Sequence, residues 1–329
     1  MQIAVGGNHI TDLHFVEPLR KKIQSLNKNN QCVVPGCKQK PAHSHVIPES
    51  VLALLRDEQG KVLTWEYSDE EVFIHQIRGG TWDQLFRKPK RIGTSRDATY
   101  PIFCSPHDND IFMPLEKPGY DYEPEQAALL AYRALCSKTW NPHSGEKLDF
   151  QLASLDPQKA QEYRRFFSFN TMLTARNRLE SMVQSKDYRE LRWIKRVLEL
   201  NPCIACTDAF VPYNGMEDAG QVASGKILFV PEDYVTFTLY PDAKLRASVC
   251  IVTCFKNNKR GEDFIGDLNP DDSSHDDVFD IIFRYALSMS LVYTSQIFWD
   301  FLDSEYPDYK EEYVKLRMSR MSMGANSQN

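Results

Sequence analysis

The chain has 329 residues, 42% of them apolar and 26% charged, with a net charge of −6 and a mean hydropathy of −0.47. This composition is ordinary for a globular protein and excludes wholesale disorder, while eight cysteines are too few for a disulfide-rich secreted scaffold of this length. Residues 1–18 show no basic stretch followed by an apolar one, and no apolar run approaches the ~20 residues a spanning helix needs, so a cytoplasmic protein with no membrane segment is expected. Charge is uneven: residues 1–118 carry 15 Lys+Arg against 14 Asp+Glu, and the remainder 24 against 31. Any attraction to phosphates must therefore come from a local patch in the front third.

Residues 10–26 place Leu13, Phe15, Val16, Leu19, Ile23 and Leu26 at helical spacing, with Pro18 near the start. Residues 32–50 read as loop and short hairpin, and Ser50 is the expected N-cap of a helix SVLALLRDE. An insertion follows, with VLTWEY and EVFIHQI as candidate strands and a basic run of Arg87, Lys88, Lys90 and Arg91, then Arg96. The stretch EPEQAALLAYRALCSK at 123–138 predicts a strong core helix. Residues 157–200 read as one long helix or a helix pair with an apolar and a basic face. The segment 221–256 changes to period two and predicts a small antiparallel sheet, and a helix is expected over 278–301.

Two short motifs carry chemistry. Cys32-Val-Val-Pro-Gly-Cys37 sets two thiols around a Pro-Gly turn, as a zinc knuckle does. Cys104-Ser-Pro-His107 supplies a second pair at the spacing that the first turn of a helix brings together. Two such pairs complete a tetrahedral structural zinc site. His43 and His45, between the pairs, remain open as substitutes for His107. Cys203, Cys206, Cys250 and Cys254 offer a second metal set, although Cys250 and Cys254 share one face of an apolar strand as ordinary core thiols do.

The order Cys-x4-Cys, Ser-His-Val-Ile-Pro, then Phe-Cys-x2-His-Asp-Asn resembles the treble-clef, ββα-metal core of HNH-type nucleases, as found in divergent form in uncharacterised bacterial proteins. The resemblance covers residues 30–115. It implies that Cys32, Cys37, Cys104 and His107 hold structural Zn2+, that His45 is the general base that activates water, and that Asp108 helps hold a catalytic Mg2+ or Mn2+. The family places Asp or His before the base, where this chain has Ser44, and His after the second pair, where it has Asp108.

The expected architecture is α+β: an N-terminal helix plus HNH-like zinc module with its insertion over 1–117, then a mainly helical domain with a small antiparallel sheet over 118–329. The expected function is a metal-dependent endonuclease that cleaves nucleic acid, DNA first, with a role in bacterial defence. The alternative is a non-catalytic zinc module that binds nucleic acid, a protein partner or a second copy of the chain.

Overall fold

The computed structural model describes residues 31–65, 84, 89–116, 122–140, 164–198, 203–212, 230–268, 285, 286, 289, 291–305, 307 and 311. Helix 10–26, the strand EVFIHQI, Arg87, Lys88 and the start of the 278–301 helix lie outside them. The elements in chain order are β1 (Ser44–His45), α1 (Glu49–Ala53), β2 (Lys61–Thr64), β3 (Lys90–Gly93), β4 (Thr99–Tyr100), α2 (Ser105–Glu116), α3 (Pro124–Trp140) and α4 (Arg164–Ser185). They continue with β5 (Leu191–Leu198), β6 (Ile204–Phe210), β7 (Val235–Asp242), β8 (Ala247–Phe255), α5 (Lys259–Asp267), β9 (Leu291–Thr294) and α6 (Gln296–Glu305).

The class is α+β, but the sheet is not small. Seven strands run in the order β3-β2-β9-β6-β7-β8-β5, every pair antiparallel. β1 and β4 form a separate two-stranded ribbon, with Ser44 opposite Tyr100 and His45 opposite Thr99. The large sheet takes β2 and β3 from the front of the chain. One hydrophobic cluster likewise runs from Cys32 in the front segment to Tyr293 in β9.

Alternation along the strands sends side chains to two faces. Tyr240, Val249, Ile251 and Phe255 face α3 and α4, while Phe237, Leu239, Val252 and Cys254 face α5 and α6. Twelve of the 17 residues of α3 are buried, so this helix is enclosed all round, between α2, α4 and the sheet. Beneath it, two pairs of buried threonine hydroxyls meet across strands, Thr236 with Thr253 and Thr207 with Thr238 at 3.0 Å, each pair also register partners.

Three expected elements are corrected. The long helix stops at Ser185; Lys186 adopts the left-handed conformation (φ 55°) and the Asp187 amide closes on the Met182 carbonyl. Residues 191–198 are then a strand paired with β8 along all eight positions: Leu191, Ile194 and Leu198 fit a helical stripe, but in the strand Leu191 and Trp193 pack on one face and Ile194 and Leu198 on the other. Within 278–301, LVYT is a strand and the helix begins later, where the Ser295 hydroxyl accepts the Phe298 amide. Ser50 is not an N-cap: α1 starts one residue earlier at Glu49, and the Pro48 carbonyl takes the first amides.

A close approach fixes one glycine of α5. A Cβ on Gly261 would lie 2.6 Å from the Cβ of Cys254 on β8, whereas one on Gly266 meets nothing within 4 Å. Gly261→Ala is expected to cost about 1–3 kcal/mol by overpacking, and Gly266→Ala to stabilise by about 0.5–1 kcal/mol through helix propensity, both read from urea unfolding.

Candidate metal centre and its surroundings

The knuckle forms where the sequence has its tightest turn. Gly36 takes φ 77°, which an L side chain adopts only at a cost, and the Cys37 amide returns to the Val34 carbonyl at 3.1 Å. Cys32 and Gln39 close the loop above it at 3.0 Å. Backbone bonds from Val33 to Ile102 (3.0 Å) and from Ala42 to Phe103 (2.7 Å) then fasten the knuckle to the segment leading into α2. The first turn of α2 brings Cys104 and His107 onto one side, with the Asp108 amide donating to the Cys104 carbonyl at 2.9 Å.

The four side chains meet. Cys37 Sγ lies 3.8 Å from Cys104 Sγ, and His107 Nδ1 lies 3.3 Å from Cys32 Sγ and 3.2 Å from Cys104 Sγ. All four donor atoms fall within 4.8 Å of one another. A tetrahedral Cys3His site with zinc-type bonds has S···S edges of about 3.8 Å and S···N edges of about 3.6 Å, so the residues are compatible with structural zinc. Cys32 and Cys104 are buried, while Cys37 and His107 are half-buried, which leaves an entry path for an ion.

Burial pushes the Cys32 thiol up to about 11, and a neighbouring Cys104 charge would add to the shift. The backbone amide of Gln39 lowers Cys37. An ion that bound here would have to displace protons from thiols packed together.

Of the three candidate histidines, His107 is the one that lies beside the thiols. His43 Nδ1 lies 3.1 Å from Thr99 Oγ1, and His45 Nε2–H donates to the Thr94 carbonyl at 2.8 Å. A carbonyl only accepts, so in the neutral ring Nδ1 carries the lone pair. Thr94 is itself held, its Oγ1 accepting from Arg56 Nε at 2.6 Å, and Arg56 in turn pairs with Glu49 at 2.8 Å. Glu49 is the carboxylate that senses His45; its carboxyl lies below the ordinary range, first through Arg56 and to a smaller degree through His45.

Asp108 belongs to a different group. Adjacent residues of a strand point to opposite faces, and Ser44, not His45, turns toward α2 and Asp108. Asp108 Oδ1 lies 3.6 Å from Nη2 of Arg133 on α3, and both Nη atoms of Arg133 reach Glu116 Oε1 at 3.0 Å. Arg133 is 3% exposed and its guanidinium stacks 4.3 Å from the Phe112 ring centroid. Burial raises the Asp108 carboxyl and Arg133 opposes the shift. Ser44 Oγ, Asp108 Oδ1 and Arg133 Nε are all buried without a hydrogen-bond partner. Sequence reasoning passed over Arg133, although an arginine inside the apolar run EQAALLAYRAL is a signal, because a charge on a buried helix must be paired.

The remaining cysteines do not assemble. Among the described residues no second group of metal donors forms; Cys206, Cys250 and Cys254 are buried core thiols, and burial raises Cys203 and Cys254 to about 12. Three basic residues of 164–196 are engaged by carboxylates: Arg178 by Glu190 and Glu232, Arg189 by Asp187, Arg192 by Glu262. No helix among the described residues is long and apolar enough to cross a membrane.

Metal affinity is expected to fall as pH falls, because protons compete for the thiolates. Release to a chromogenic chelator should weaken affinity by about tenfold per pH unit for each thiol that must be deprotonated. Thr94→Val, which removes the anchor of Arg56 while keeping the backbone carbonyl, is expected to leave metal content unchanged and to speed exchange of the His45 Nε2–H proton in 15N-histidine NMR spectra.

No protein-family model matches the chain, and no curated protein or solved structure matches it.

Proposed function

We propose that residues 31–116 form a zinc-held module of the HNH type that binds nucleic acid, DNA first. The observation that carries the reading is the convergence of Cys32, Cys37, Cys104 and His107 at the junction of a knuckle, the β1–β4 ribbon and the start of α2. A ribbon followed directly by a helix is the order the ββα resemblance leads one to expect. Lys38 and Lys40 in the knuckle and Arg96 in the turn before β4 are exposed cations flanking the ribbon, suited to phosphate contact. Arg91 and Arg56, by contrast, are engaged by Asp57 and Glu49.

A second reading, phosphodiester hydrolysis, is favoured by His45. Its imidazole is oriented by the Thr94 carbonyl and keeps a lone pair on Nδ1 to take a proton from water. The Mg2+ or Mn2+ of that scheme fits less well. Hard divalent ions want about six oxygen ligands, and the position offers one hydroxyl and two carboxylates that already face a buried guanidinium. Binding without metal-dependent cleavage is therefore the leading reading.

Purified protein is expected to hold about one equivalent of zinc, and Cys104→Ser to hold none and to lose cooperative folding of the module. Labelled duplex DNA should bind in a salt-dependent manner, about tenfold more weakly in the Lys38→Ala/Lys40→Ala/Arg96→Ala variant. Absence of salt-dependent binding to DNA and RNA alike would sink the leading reading. Plasmid nicking by wild type with Mg2+ or Mn2+, abolished by His45→Ala, would replace it with the second.

A further inference from the structure

We propose that the guanidinium of Arg133 occupies the cation position of this module, so that Asp108 takes a resident side chain instead of a divalent ion. Naming that position rests on the HNH-type reading; the contacts that fill it do not. Asp108 is the place where the resemblance leads one to expect a ligand of the second metal, and Ser44, where the family has Asp or His, approaches it across β1 and α2. The third group to arrive is Arg133, from a helix outside the zinc module.

The guanidinium is built in rather than borrowed from the surface. It is 3% exposed, stacks on Phe112 and spans two carboxylates, Asp108 at 3.6 Å and Glu116 at 3.0 Å. A divalent ion at Asp108 would meet this fixed positive charge at short range in a poorly solvated place. Ser44 completes the exchange: a hydroxyl needs no cation, whereas an Asp or His at that place would add a donor for one. Arg133 sits buried on the enclosed helix α3, which holds its charge beside Asp108 and Glu116. In its absence, the same two carboxylates and the Ser44 hydroxyl form an oxygen set that would attract a divalent ion.

The prediction is a site gained by removing a cation. Zinc-loaded wild type, Arg133→Lys, Arg133→Gln and Asp108→Asn would be titrated with Mn2+ and free Mn2+ read by electron paramagnetic resonance. Wild type and Arg133→Lys should bind no Mn2+ tighter than about 1 mM, while Arg133→Gln should gain one site at least about tenfold tighter. One tight Mn2+ in wild type that disappears in Asp108→Asn overturns the proposal, and so does a folded Arg133→Gln that gains none. Should Arg133→Gln not fold, the comparison of wild type with Asp108→Asn decides alone. Nucleic-acid binding is not read here, so failure of the DNA-binding reading and failure of this one remain separate results.

Discussion

The front of the molecule depends on three thiols and an imidazole meeting at one point, in an arrangement compatible with a structural metal ion. Cys37 and Cys104 are 67 positions apart, yet their sulfurs are in contact range. That convergence fixes the start of α2 against the knuckle, and from there order passes inward by ring contacts. Phe103, next to the ligand Cys104, packs edge-on against Phe112 with centroids 4.9 Å apart, and Phe112 stacks on Tyr132 of α3. Because α3 is enclosed between α2, α4 and the sheet, the metal centre and the sheet are parts of one packed body among the described residues.

The β1–β4 ribbon divides the chemistry of the module into two faces. On one, Ser44 meets Asp108 and the buried Arg133, a closed group whose charges are spent on one another. On the other, His45 is held by Thr94, Arg56 and Glu49 in a half-buried place where an imidazole can exchange protons. The pairing of His45 with Asp108 that the resemblance implied is thus spread over opposite sides of a strand. The proposed nucleic-acid binding asks of this module only a fixed shape and exposed cations, not the divalent ion that hydrolysis would draw on.

The metal ligands were legible because their information is local: a thiol pair around a Pro-Gly turn, and a thiol and imidazole one helical turn apart. The choice among His43, His45 and His107 was not local, since it depended on which backbone the ribbon laid beside each ring; the Thr94 carbonyl that claims His45 is 49 positions away. The α3 helix was legible from its unbroken apolar character, and its one buried charge marked a partner without naming it. β5 carries a helical stripe in Leu191, Ile194 and Leu198, and only pairing with β8 sets Leu191 and Trp193 on one face and Ile194 and Leu198 on the other. β6 gave no strand signal for the opposite reason: Ile204 to Ala209 are buried on both faces, so no alternation remains to be read. The sheet was underestimated for the same cause, as its strands come from four separated stretches of chain.

Zinc K-edge X-ray absorption of the purified protein tests the central claim most directly. The account predicts a first shell of three sulfurs at about 2.3 Å and one nitrogen at about 2.0 Å, with the imidazole signature of His107 lost in His107→Ala. Protein that holds no zinc, or a shell of nitrogen and oxygen without sulfur, would contradict it.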